Sequence, residues 1–216
     1  MRRKKINNFA AWREEAIRTG RIRIHFPPLP RNGDLAELIG VILGDGHIQK
    51  FPRTERLLIF SNSNNSGFIA RYTRLVEEIF DKKLYVYQQT DQNCTRISLY
   101  EKNISLRLGI STGARKDCDI KVPSWILKSR SNSIRYLRGL YEAEGSHSVH
   151  APTYTYKLEF SNRNQSLLKN VAKLLTVLGF SPHSDPKRVQ ISRKDQVASA
   201  IELLGFRKYS VCCQII

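Results

Sequence analysis

The chain of 216 residues carries 36 Lys and Arg against 19 Asp and Glu, a formal net charge of +17 at pH 7, which excludes an acidic or neutral fold and points to a polyanionic partner. At 41% hydrophobic and 25% charged residues it is globular rather than disordered, long enough for one large domain or two of roughly 100 residues. No run approaches the roughly 18 consecutive apolar residues that span a bilayer, and Met1-Arg-Arg-Lys-Lys5 leads into polar Asn7 and Asn8 instead of an apolar signal core, so a soluble, intracellular protein is expected.

In chain order, residues 1–32 read as a basic N-terminal extension ending in Phe26-Pro-Pro-Leu-Pro30, whose prolines cannot continue a helix. Leu35, Leu38, Ile39, Ile42 and Leu43 then recur at helical spacing, and strands and a second helix (Phe68, Ile69, Tyr72, Leu75, Val76, Ile79) follow. Residues 117–133, with Pro123 and a polar stretch from Ser129 to Ser133, are the expected connector. A further helix begins around residue 134 and carries Leu137, Leu140 and Tyr141. From Thr153 to Phe160 the pattern alternates, with Tyr154, Tyr156, Leu158 and Phe160 on one face and Thr153, Thr155, Lys157 and Glu159 on the other, as in a half-buried strand. A helix over Leu167–Leu178, more strands and a closing helix complete the chain.

These elements are two copies of one unit. Leu38-Ile-Gly-Val-Ile-Leu-Gly-Asp-Gly46 recurs as Leu137-Arg-Gly-Leu-Tyr-Glu-Ala-Glu-Gly145, and Phe60-Ser-Asn-Ser-Asn64 as Phe160-Ser-Asn-Arg-Asn164. Arg96-Ile-Ser-Leu99 matches Arg188-Val-Gln-Ile191, and each leads to a Leu-Gly turn and an Arg-Lys pair, Arg115-Lys116 and Arg207-Lys208. The unit reads α-β-β-α-β-β-α over 33–116 and again over 134–216. Cys94, Cys118, Cys212 and Cys213 stand at no zinc-ligand spacing and are expected to be reduced thiols.

Gly40 and Gly44, matched by Gly139 and Ala143, place small residues four apart on each motif helix, a pattern that lets two helix backbones approach closely. Asp45 and Glu144 end these helices, before Gly46 and Gly145, which are expected in the left-handed conformation. A carboxylate at the negative end of a helix dipole costs roughly 0.3–1 kcal/mol. Two such groups together call for a cation, and oxygen ligands suit Mg²⁺.

The segments LIGVILGDG and LRGLYEAEG resemble the LAGLIDADG motif, and residues from about 33 to 216 resemble a monomeric, two-motif LAGLIDADG homing endonuclease. The resemblance implies a pseudo-twofold α/β (α+β) fold of duplicated αββαββα units, with two antiparallel sheets forming a saddle and the motif helices packed at its centre. It implies a Mg²⁺-dependent double-strand break in DNA, with Mn²⁺ or Ca²⁺ as substitutes in binding, and Asp45 and Glu144 as metal ligands. The first motif departs from the pattern with Leu43 where the second has Glu142, at a position that is not a ligand. The family's polar or basic residue at the end of each second strand falls at Asn62 or Ser63 and at Asn162 or Arg163, of which Asn62 and Arg163 are taken as candidates. Its late lysines map onto Lys116, with Lys121 as a rival, and Lys208.

On this reading the exposed strand faces read the major groove through Gln49 and Arg53, through Arg96, Ser98 and Tyr100, through Thr153, Thr155 and Lys157, and through Arg188, Gln190 and Ser192. The expected target is long and loosely palindromic, on the order of two helical turns, bound by a monomer with no obligate protein partner. The absence of a splicing domain before the first motif suggests an intron-encoded enzyme rather than an intein. Two alternatives differ in class: a catalytically silent nucleic-acid binder of the same fold, as RNA maturase or transcriptional regulator, and a protein of anionic membranes.

Overall fold

The computed structural model describes residues 9–21, 24–89 and 92–207. A first helix, α1 (Phe9–Arg18), precedes the repeated units. In the first unit α2 (Gly33–Asp45) leads into β1 (Gly46–Lys50), β2 (Glu55–Asn62), α3 (Ser66–Phe80), β3 (Tyr85–Gln88), β4 (Cys94–Glu101) and the short α4 (Ile104–Leu108). The connector contains α5 (Ser124–Leu127), and the second unit runs α6 (Arg130–Glu144), β5 (Gly145–His150), β6 (Thr155–Ser161), α7 (Gln165–Val177), β7 (His183–Ser184), β8 (Arg188–Ile191) and α8 (Lys194–Leu204). Two four-stranded antiparallel sheets result, ordered β1-β2-β4-β3 and β5-β6-β8-β7, as the α-β-β-α-β-β-α pattern requires.

The motif helices start on polar caps: the Asn32 side chain accepts from Leu35 N at 3.0 Å, and Ser129 Oγ from Asn132 N at 3.3 Å. The second cap starts α6 four residues ahead of residue 134, where the sequence pattern starts it. α2 and α6 then pack side by side through the glycine positions. A Cβ on Gly40 would stand 2.3 Å from Tyr136 O, and one on Gly139 would stand 2.1 Å from Glu37 O. These contacts are backbone to backbone, so only glycine fits at either place.

Two expectations are corrected. Gly46 and Gly145 are extended, with φ −96° and −84°, because the chain passes from helix straight into strand. Glycine is required there by crowding, since a Cβ would lie 2.7 Å from Ile42 O and 2.4 Å from Tyr141 O. Thr153 and Tyr154 lie outside the strand: residues 151–153 form a 3-10 turn and Tyr154 has φ 49°, so the alternating pattern runs on through a hairpin turn. Thr153 Oγ1 and Thr155 Oγ1 hydrogen-bond to each other at 2.8 Å.

Alternate strand residues enter the core beneath the helices, Ile48, Leu57, Ile59, Ile97 and Leu99 in one sheet and Leu158, Phe160, Val189 and Ile191 in the other. A charged cluster is buried with them. Glu37 is fully buried and accepts from Arg207 at 2.7 and 3.0 Å, from Arg135 and from Arg71 at 3.2 Å, while Glu142 accepts from Tyr72 Oη at 2.6 Å and from Arg207. Burial by itself would raise the Glu37 carboxyl, and the guanidinium groups of Arg207, Arg135 and Arg71 outweigh it and hold the carboxyl below its usual range. Arg135 and Arg207 come from the second unit, so this cluster ties the halves together.

Candidate functional site

The packing of α2 on α6 determines where the acidic ends fall. A Cβ on Gly44 would stand 2.6 Å from Ala143 Cβ and 3.5 Å from Glu144 Cγ, so the last turns of both helices meet and Asp45 and Glu144 face one another. Burial, and then the charge of Glu144, pushes the Asp45 carboxyl up to about 7. No hydrogen-bond partner reaches Asp45 among the described residues. The Glu144 carboxyl is also raised by burial, against the opposing pull of the Asn162 amide and the Arg115 guanidinium. Asn162 Nδ2 donates directly to Glu144 Oε2.

Arg115 supplies the cation that the ends of these helices lack. Its Nη2 donates to Ile42 O at 2.8 Å and to Gly46 O, which holds the last turn of α2 in place, while its Nη1 is buried with no partner. Beside Glu144 opens a cleft of about 930 Å³ bordered by five cations, Arg115, Lys116, Arg163, Lys187 and Arg188.

Of the candidates at the strand ends, Asn62 and Asn162 build the same turn, accepting from Asn64 N at 2.9 Å and from Asn164 N at 2.8 Å. Asn162, and not Arg163, reaches the acid; Arg163 is exposed at the cleft. Its counterpart Ser63 is tied to Thr95 Oγ1 at 2.9 Å. Lys116 is exposed at the cleft rim, Lys121 pairs with Asp119 at 3.6 Å away from it, and Lys208 lies outside the described residues. The duplicated Arg-Lys pairs were the signal for Arg115, which the choice of the lysine passes over. Asn162 was one of two options at its strand end.

Residues 131–205, within the second unit, match the LAGLIDADG-like domain family. The homing endonuclease I-DmoI superposes on 82% of this chain and 98% of its own with a TM-score of 0.57 at 17% identity. This is the LAGLIDADG fold. I-DmoI in complex with DNA and Mn aligns over 81% of this chain and 97% of its own, with a TM-score of 0.58 at 17% identity. The N-terminal LAGLIDADG domain of WhiA (DUF199) aligns over 86% of each chain, with a TM-score of 0.54 at 16% identity. No curated protein matches the sequence.

In this LAGLIDADG fold each sheet has one face on the helices and one turned outward. Register places Gln49, Arg56, Arg96, Ser98 and Tyr100 on the outer face of the first sheet, with Tyr85 and Tyr87 at its edge. Arg53 is exposed in the β1–β2 turn. Ser98 is only 2% exposed and accepts from Arg56 Nε at 2.9 Å, so it supports a side chain instead of presenting itself. Thr155, Lys157, Gln190 and Arg188 share the outer face of the second sheet; Ser192 follows β8 and accepts from the Gln190 amide, and Thr153 stands in the turn beyond. Arg56 was missed because it lies on β2, whose alternation is blurred by the continuous run Leu57-Leu-Ile-Phe60.

Among the described residues no cluster of three or more His, Cys, Asp and Glu side chains is poised for a metal. The donor set at the helix ends is therefore two carboxylates. A partnerless Asp45, pushed up by burial and by Glu144, fits a hard divalent cation, which takes few protein oxygens and completes its shell with water and phosphate.

Proposed function

We propose that this protein is a site-specific DNA endonuclease of homing type, a monomer that makes a metal-dependent double-strand break at a long, loosely palindromic duplex target. The observation that carries the reading is the meeting of Asp45 and Glu144 at the ends of two helices packed backbone to backbone, with Asp45 left unpartnered. The solved complexes of I-DmoI with its target DNA and Mn or Mg support it by analogy of fold.

Asp45 and Glu144 would hold Mg²⁺, which when bound lowers the pKa of a water and neutralises charge on a scissile phosphate. Arg115 fixes the end of α2, and so the position of Asp45, through the Ile42 and Gly46 carbonyls. Asn162 orients Glu144. The cationic cleft draws in the phosphate backbone on the Glu144 side. Residues 33–116 and 134–216 act as the two halves, each covering one part of the target. The second reading, a silent binder of the same fold, is favoured by one observation: Glu144 already has internal partners in Asn162 and Arg115, as a structural acid would.

One experiment separates the two. The protein is incubated with the intronless allele of its host gene, with and without Mg²⁺, beside Asp45→Asn and Glu144→Gln. The nuclease reading expects linear product from the wild type with Mg²⁺ only, none from either variant, and a retained gel shift with all three. A wild type that shifts the duplex and never cuts it establishes the binder.

A further inference from the structure

The outer faces of the two sheets differ in chemistry, and the difference centres on arginine. On the first sheet Arg56 lies across the Tyr100 ring, 5.0 Å from its centroid, and donates through Nε to Ser98 Oγ at 2.9 Å. Both of its Nη atoms are without a hydrogen bond among the described residues. The side chain is thus fixed at its stem and inner edge while its terminal fork points outward, ready-made for a planar pair of acceptors. Arg96 lies over Phe60 at 5.7 Å and donates through Nη2 to Gln89 Oε1 at 2.6 Å, which leaves one terminal nitrogen uncommitted.

On the second sheet the one outward arginine is held between two carboxylates, which neutralise it and leave only Nη2 uncommitted. Arg188 donates to Asp185 at 2.8 Å and to Glu159 at 3.2 Å. That face also carries Ser146, Ser148, Thr155, Lys157 and Gln190, none of which offers a guanidinium fork. Hydroxyls both donate and accept, so they discriminate weakly between bases.

We propose that Arg56 reads guanine, and that the half of the DNA target lying on the first sheet is the half where guanine identity is enforced. The inference rests on the reading of this protein as a sequence-directed DNA enzyme. In the major groove guanine alone offers two adjacent acceptors, O6 and N7, to a guanidinium fork; adenine places a donor beside its N7. Arg96, with one free nitrogen, enforces a second guanine less strictly. Arg56 lies opposite Tyr100, four residues along β4 from Arg96, a distance of about 13 Å at strand rise. The two guanines are therefore expected roughly three to five base pairs apart.

The test is selection from a randomised duplex library with Ca²⁺, using the full chain, Arg56→Lys, Arg96→Lys and Arg188→Lys. Lysine keeps the charge but loses the fork. The wild type is expected to enrich a strong and a weaker guanine in one half, and Arg56→Lys to lose the strong preference about tenfold at that single position while preferences elsewhere persist, which also shows that the variant folds. Arg188→Lys should leave the profile intact. Enrichment without guanine at these spacings, or an unchanged profile for Arg56→Lys, overturns this inference alone. A wild type that enriches no duplex overturns the endonuclease reading with it.

Discussion

Asp45 is a half-buried carboxylate beside another carboxylate, and its stability signature follows from that. Its folded pKa of about 7 lies above the unfolded value of 3.8, so between those values the native state holds a proton that the unfolded chain has released. Stability of the metal-free protein therefore falls as pH rises from about 4 to about 7 and levels off above. In EDTA, Asp45→Asn is expected to be more stable than wild type at pH 8 by about 1–3 kcal/mol, with the difference vanishing near pH 4. Urea melts at the two pH values measure this, and equal gains at both would mean that Asp45 is solvated. Arg163 concerns the other acid: it stands free at the cleft beside Glu144, whereas Ser63 is tied to Thr95. A guanidinium there would stabilise charge on one strand's phosphate only. Arg163→Ala is expected to accumulate nicked plasmid before linear product, and slowing of both cuts by one factor would show that it merely clamps the backbone.

At the scale of elements, the pairing of α2 with α6 sets the distance between the acids. Gly139 has the tighter contact, with a Cβ expected 2.1 Å from Glu37 O and 3.0 Å from Val41 N, both backbone atoms of a helix that cannot yield locally. Gly139→Ala must push the helices apart, at about 3 kcal/mol, and should disturb the ion cluster of Glu37 because Arg135 and Arg207 reach it from the other side of the seam. Denaturant titration checks the first effect. A loss under about 1 kcal/mol would mean that the helices slide past one another at little cost.

For the molecule as a whole, +17 is spread over the chain instead of gathered in one tail. If about eight phosphates are contacted along the two sheets and the cleft, the log–log slope of duplex affinity against salt should be near −7. A slope shallower than about −3 would confine contact to one half. No helix among the described residues is long and apolar enough to cross a membrane.

The duplication, the two acids and the helix pair were legible in the sequence because each is a local pattern: small residues one turn apart, an acid before a glycine, apolar residues at the period of helix or strand. Alternation also sorted most strand residues correctly onto outer faces. It failed at Thr153, since a hairpin turn can continue a period of two without being strand. What tertiary structure alone decided is the company these residues keep. Arg115 reaches the end of α2 from 73 positions away, and Arg207 reaches Glu37 from 170; no local spacing encodes such meetings. The repeat makes the two arginines equivalents, yet one holds a helix end beside the acids and the other neutralises a buried glutamate. The physical reason is that Glu37 has Tyr136 as its counterpart one repeat later, so the seam between the motif helices has a buried carboxylate on one side only to draw an arginine inward.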